Sequence, residues 1–259
     1  MNTLHSRMTT EYQGAVHFAE AYGVHHYNLG LAERGDDDLL HVQERMVWRL
    51  VGDTPIGSDT TLVDVGAGIG GALYEIAAAR HPHRSIGVEL CWPNIVHGMK
   101  RGAAGGPNGV RFVQGDAHAL PFAEASVDVI FNLESAFHYP DKDRFIRECA
   151  RVLRPGGRLL IGDLVRERWL PRFIGDRDGT RFWTLARYRD AIRDAGLRID
   201  RCEDVRPEVI HSIDSVLAHV RRDRIRRWWP ARRSLFGVLG ARWLLGAGRL
   251  GYMLLRARR

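Results

Sequence analysis

Cysteine is scarce in this chain: three in 259 residues, at Cys91, Cys149 and Cys202, with no CxxC spacing and no histidine pair beside them. That excludes a disulfide-stapled fold and a zinc centre, points to a reducing compartment, and gives the expectation of no bound metal. A long apolar run is also lacking. Arg242 and Arg249 interrupt the most apolar stretch, so nothing approaches the roughly 20 apolar residues of a spanning helix. The segment MNTLHSRMTTEYQGAV holds no basic stretch followed by an apolar one, and the expected location is the cytoplasm. No repeats, low-complexity tracts or Pro/Ser-rich linkers divide the chain. A chain of this length buries most of its apolar surface without staples.

Acidic residues are missing from one end. From Arg221 to Arg259 there are twelve arginines and one acid, Asp223, so the net charge of +7 combines a tail at +11 with a body at −4. A basic tail on an acidic body suits nucleic acid, an anionic membrane or an acidic partner.

What is present is alternation. Residues 14–52 read as helical, with helical apolar spacing in LLHVQERMVWRLVG. Strands are then expected at Thr61–Val65, Ser85–Leu90, Val110–Gln114, Val127–Leu133 and Arg158–Leu164. Helices are expected at Ala72–Ala79, Asp143–Leu153 and Thr184–Ala195, the second stopped by Pro155-Gly156-Gly157. Near-continuous apolar strands separated by helices imply parallel βαβ units, a sheet covered on both faces and a doubly wound α/β fold. Beyond Val205 the alternation fails. Pro207–Trp229 and Ser234–Ala247 read as helices, and RLGYMLLRARR as a possible closing strand. The expected division is a helical cap (1–57), an α/β core (58–205), a helical lid (206–248) and a closing strand (249–259), all one structural domain.

The run Asp64-Val-Gly-Ala-Gly-Ile-Gly-Gly71 follows the first strand and opens a helix. Glycine suits a backbone that turns sharply and approaches a ligand. Gly66, Gly68 and Gly71 match GxGxxG, which nicotinamide and flavin enzymes share. Glu89, 18 residues after Gly71, ends the next strand where a carboxylate accepts two ribose hydroxyls. A flavin hydroxylase is the rival reading. Against it stand Asp64, where dinucleotide loops carry an apolar residue; Gln114-Gly115-Asp116-Ala117, which offers a carboxylate to an adenine amino group; and the helical segment ahead of the core.

With DVGAGIGG, Glu89, GDAHALPF and VDVIFNLESAFHYPD…ARVLRPGGRLLIGD in this order, residues 40–205 resemble the class I S-adenosylmethionine-dependent methyltransferases of small-molecule type. The resemblance implies a Rossmann-like, mostly parallel seven-stranded sheet and S-adenosylmethionine as cofactor. It places Gly66, Gly68 and Gly70 at the methionine portion, with Asp64 beside them. It gives Glu89 and Leu90 the ribose, Asp116 and Ala117 the adenine, and Asn132 the amino-acid end. Trp92, after Glu89-Leu-Cys, departs from the usual small polar run and serves as a stacking wall or simply packs.

An acceptor hydroxyl needs a base beside the cofactor. The candidates are His138, after the fourth strand, and Asp163, closing the fifth as its carboxylate partner; similar sugar O-methyltransferases carry such a pair. Glu134 is expected to be a structural hydrogen-bonder, and Tyr139, Tyr27 and His26 possible wall residues. Asn-Leu-Glu-Ser after the fourth strand differs from the Asn/Asp-Pro-Pro-aromatic loop of adenine methylation, and Glu134 lacks the glutamate mate of protein arginine methylation. The expected acceptor is therefore a small, apolar molecule rather than nucleic acid. Oxygen is the first choice of atom, with carbon and nitrogen as alternatives. Weak peripheral membrane contact through the basic tail is a further expectation.

Overall fold

The computed structural model describes residues 25–33, 39–107, 109–170, 181–222 and 229–259. In chain order these form α1 (Leu39–Val51), β1 (Thr61–Val65), α2 (Gly71–Arg80), β2 (Arg84–Glu89), α3 (Trp92–Ala103), β3 (Val110–Gln114) and β4 (Val127–Leu133). A short 3-10 turn (Ala136–His138) precedes α4 (Lys142–Val152), β5 (Leu153–Arg166), α5 (Leu185–Asp194), β6 (Arg198–Asp204), α6 (Arg206–Arg222), α7 (Trp229–Gly246) and β7 (Leu250–Arg258).

The strands build one seven-stranded sheet in the order β3-β2-β1-β4-β5-β7-β6. All pair in parallel except β7, which runs antiparallel to both β5 and β6. The expected doubly wound, mostly parallel architecture is the one found. Alternate residues of each strand serve opposite faces. Val63, Ile130, Leu159 and Leu255 pack with Phe145 and Ile146 of α4 and Tyr188 and Ile192 of α5. Leu62, Val129, Leu160 and Leu254 pack with α1, α2, α6 and α7 through Met46, Leu73, Val209 and Leu245. Chain order reverses between β1 and β4, and a crevice opens beyond their carboxyl ends at such a switch point.

Three elements differ from the sequence reading. The helix expected over 14–52 is present only as α1 among the described residues, and residues 25–33 are not helical. Asn28 Oδ1 accepts from Gly30 N at 2.9 Å, and Gly30 sits at φ +75°. That local turn competes with helical hydrogen bonds. Other partners lie far along the chain: Leu29 N donates to Glu134, and Ala32 N to the Glu208 carbonyl at 3.1 Å. Second, α3 and β6 were not among the elements expected from the sequence. WPNIVHGMKRGA contains two glycines and RIDRCED is polar, as suits a strand at the sheet edge. Third, α7 lies in the segment expected to be a helical lid. Its apolar side chains follow no single stripe, and it packs on α6 and β7.

Candidate active site

The cavity at the switch point has a volume of about 330 Å³. Its walls come from the β1–α2 loop, the ends of β2 and β4, the segment after β3, and residues 26–28. Asp64, Gly66, Gly68, Glu89, Leu90, Asp116, Ala117 and His138 all line it, so eight residues from four sequence regions converge. Gly70, Asn132 and Asp163 do not line it.

Gly66, Gly68 and Gly70 all have positive φ (74°, 54° and 79°), a region costly to any residue with a Cβ. A Cβ on Gly66 would collide with Ser135 Oγ, itself 2.6 Å from Tyr139 OH. On Gly68 it would meet the Tyr27 ring at 3.1 Å. Gly70 was expected to approach the ligand. Instead it ends the turn ahead of α2, and the place of its missing Cβ faces Phe112.

Glu89 is buried. Its Oε2 accepts from Gly68 N at 2.9 Å and its Oε1 from Cys91 N at 2.8 Å. Burial pushes its carboxyl above the usual range, against the pull of those two N–H donors. Burial, and then the Glu89 charge, push Asp64 up to about 8. Asn132 Nδ2 donates to the Val65 carbonyl at 2.7 Å, which stiffens the strand end before Gly66, while its buried Oδ1 has no hydrogen-bond partner. Asp116 is exposed; its Oδ1 accepts from His118 N at 2.9 Å and lies 2.5 Å from His118 Nδ1. The sequence reading passed over His118, although its position two residues after Asp116 was a usable signal.

The wall therefore carries five acidic side chains, Asp64, Glu89, Asp116, Glu134 and Asp141, against one guanidinium, Arg144. A pyrophosphate would find a single cation to pair with there. The usual pyrophosphate position at a helix N-terminus is also taken, since the His25 carbonyl lies against Gly71, the first residue of α2. S-adenosylmethionine carries an ammonium and a sulfonium, and fits an acid-rich wall with an orphaned buried acceptor behind it. The geometry thus separates the two readings that the glycine motif left open.

At the acceptor side, His138 lies against Phe137 with ring centroids 4.0 Å apart and the ring planes tilted by 38°. Burial, then the charges of Arg181 and Lys142, pull its imidazole down to about 3. Asp163 is fully buried between β4 and β7. It accepts from Tyr188 OH at 2.6 Å and from Leu164 N at 2.9 Å, so its lone pairs serve α5 and its own strand behind the cavity wall. Burial raises it to about 7 despite those bonds and the nearby Lys142. Glu134 sits at φ +50°, and its Oε1 accepts from Leu29 N at 2.6 Å and Tyr252 OH at 2.8 Å. That is the structural role expected of it, with a partner from a distant strand that no local pattern disclosed. Tyr139, Tyr27 and His26 line the cavity, and His26 Nε2 lies 3.2 Å from Glu75 Oε2. Trp92 neither stacks on the site nor packs inside; it is 55 % exposed. No group of His, Cys, Asp and Glu suited to a metal occurs among the described residues.

Comparison with known proteins agrees with this geometry. A family model described as a methyltransferase domain matches residues 63–161. The chain is 32% identical over 182 residues to 27-O-demethylrifamycin SV methyltransferase of Amycolatopsis mediterranei, covering 66% of each protein. It is 32% identical over 176 residues to the fatty-acid O-methyltransferase of Mycolicibacterium smegmatis, covering 67% of this chain and 61% of that one. The chain thus spans about two thirds or less of these relatives' own lengths. Among solved structures, geranyl diphosphate C-methyltransferase from Streptomyces coelicolor A3(2) superposes with a TM-score of 0.81 at 19% identity, over 100% of this chain and 98% of that one, a likeness of fold. Fold, glycine loop and an acid-lined cavity at the switch point together make this chain a member of the class I S-adenosylmethionine-dependent methyltransferases.

Proposed function

We propose that the protein transfers a methyl group from S-adenosylmethionine to a small, apolar acceptor in the cytoplasm, at an oxygen atom, with carbon as the second choice. The observation that carries this is the composition of the cavity. Its cofactor end is rich in carboxylates, while Phe131, Leu133, Tyr139 and His138 surround the end of β4. Polyanionic nucleic acid suits such a wall poorly. The first two relatives named above act, by their names, on a rifamycin and on a fatty acid, both largely apolar. Free Cys91, Cys149 and Cys202 suit a reducing compartment.

Bound S-adenosylmethionine supplies an electrophilic methyl on a good leaving group. The chain supplies position and dryness, which suffice for an in-line displacement. Gly66 and Gly68 let the backbone approach; Asp64, Glu89 and Asp116 complement positive charge and hydroxyl donors. In this reading His138 stands neutral at working pH, so it meets the acceptor hydroxyl without prior deprotonation. Its low basicity makes it take the proton in step with methyl transfer rather than before it. Asp163 is a positioning residue, balancing the Lys142 charge that weighs on the imidazole.

His138→Ala tests this. Turnover with an apolar hydroxylated acceptor should fall by about 10²–10⁴, the usual loss with a general base, while S-adenosylhomocysteine affinity stays within a few-fold. Wild-type turnover in that variant would remove His138 from the chemistry and favour a carbon or nitrogen acceptor.

A further inference from the structure

His118 stands on the cavity wall among Asp116, Tyr139 and Asp141, and the methyl-transfer step makes no use of it. Both of its ring nitrogens are engaged. Asp116 Oδ1, a carboxylate oxygen that accepts, lies 2.5 Å from Nδ1, while the Asp141 backbone N–H, a donor only, meets Nε2 at 3.4 Å. Those partners fix the tautomer, with the proton on Nδ1 and the lone pair on Nε2. Asp141 in turn caps α4, accepting from Arg144 N at 2.9 Å. The ring is also held by its neighbours. It packs edge to face with Tyr139 at 5.8 Å between centroids, and Tyr139 packs the same way on the fully buried Phe145 of α4 at 4.9 Å. The imidazole is thus anchored to the core, with 14 % of its side chain exposed against 55 % for Asp116.

We propose that His118 is a positioning residue for adenine recognition: it locks the Asp116 carboxylate so that Oδ2 is presented to the 6-amino group of the cofactor. A carboxylate as exposed as this one otherwise turns freely in water, and a ligand that must order it binds more weakly. Here two hydrogen bonds from His118, one from its own backbone N–H at 2.9 Å and one from Nδ1–H, fall on the same oxygen, Oδ1. They occupy one oxygen and set the plane of the carboxylate, which leaves Oδ2 as the acceptor for an amino N–H. Through Nε2 the same ring ties the adenine side of the cavity to the turn between β4 and α4, the turn that carries His138. The inference rests on the assignment of adenine to Asp116, which Asp116→Ala tests by itself.

The full chain is titrated calorimetrically with S-adenosylhomocysteine and with its 6-deamino analogue, whose purine keeps N1 but carries hydrogen in place of the amino group. The intact chain should prefer S-adenosylhomocysteine by about ten- to a hundredfold, the range of one hydrogen bond to a charged group. His118→Ala should reduce that preference about fivefold, the equivalent of about 1 kcal/mol and of one side chain set free. The loss should fall on the amino ligand alone, with the affinity of the deamino analogue unchanged. His118→Asn, whose amide N–H reaches Asp116 as Nδ1–H does, should restore the preference. A residue that only supports the fold would weaken both ligands alike, so an equal loss in His118→Ala overturns the proposal. An unchanged preference in His118→Ala, with Asp116→Ala abolishing it, overturns the role of His118 and leaves the adenine assignment standing. No preference in the intact chain, or a full preference in Asp116→Ala, overturns both.

Discussion

Glu89 shows how one side chain serves both the fold and the ligand. Its two oxygens accept from Gly68 N and Cys91 N, so it ties the glycine loop to the turn that begins α3. Removing the carboxylate unbinds the loop and takes away the ribose partner together. We expect wild-type S-adenosylhomocysteine affinity in the micromolar range and its loss in Glu89→Ala, measured by isothermal titration; retained affinity would assign ribose binding elsewhere. Asp64 acts differently. Its carboxyl, held near 8 by burial and by Glu89, is largely protonated at neutral pH without a ligand. An ammonium beside it favours the ionised form, so cofactor binding should release protons at pH 7. Titration in buffers of different ionisation enthalpy measures this, and Asp64→Asn should abolish that share of the release.

At the level of the element, the segment 25–33 is a strap rather than part of a helix. Gln43 of α1 donates to the Asn28 carbonyl at 2.9 Å, Ser212 of α6 to the Leu29 carbonyl at 2.7 Å, and Leu29 N donates to Glu134 of the β4 end. The strap then lays the His25 carbonyl and the Tyr27 ring over the glycine loop. Glu134→Ala strands Leu29 N–H and Tyr252 OH, each an unsatisfied group costing about 1–3 kcal/mol when buried. We expect a fall of roughly 2 kcal/mol in urea unfolding and faster hydrogen exchange at Leu29. Glu134→Gln, which keeps an accepting oxygen, should recover most of it. An unchanged stability in the alanine variant would show that the strap is held by its other partners alone.

The whole molecule is closed by its last strand. β7 lies between β5 and β6 and is buried along nearly its full length, with Arg256 satisfied by Asp53 at 2.8 Å and the Arg49 carbonyl at 3.0 Å. Deleting residues 250–259 should therefore abolish cooperative folding, not only turnover; a truncated chain with a sharp thermal transition would refute this. Charge sets a second property. Asp64 and Glu134 are raised to about 8 and Asp163 to about 7, from ordinary values near 4. Carboxyls raised on folding favour the native state fully below their unfolded values, and that contribution is lost as pH rises through the folded ones. His138, lowered to about 3 from 6.5, acts in the opposite sense, losing stability as pH falls below 6.5. Above pH 6.5 only the carboxyls act, so the ligand-free thermal midpoint should drop between about pH 6.5 and 8. A rising midpoint would contradict the buried protonated carboxyls.

The sequence by itself determined the alternating α/β core and the glycine loop, because these are local. Apolar runs of strand length, a Pro-Gly-Gly stop after α4 and glycines where φ must be positive follow from residues within a few positions of one another. It also put Asp64, Glu89, Asp116 and His138 at strand ends, and a parallel sheet brings such ends together. Tertiary structure alone decided the rest. Residues 25–33 leave the helical path because Glu134, Ser212 and Glu208 satisfy their backbone from more than a hundred residues away. Gly70 turns to Phe112, and Asp163 to Tyr188, because β3 and α5 carry those rings there. The weak base at His138 is a tertiary property too: only the assembled fold buries it beside Arg181 and Lys142, and burial penalises the charged form of any imidazole.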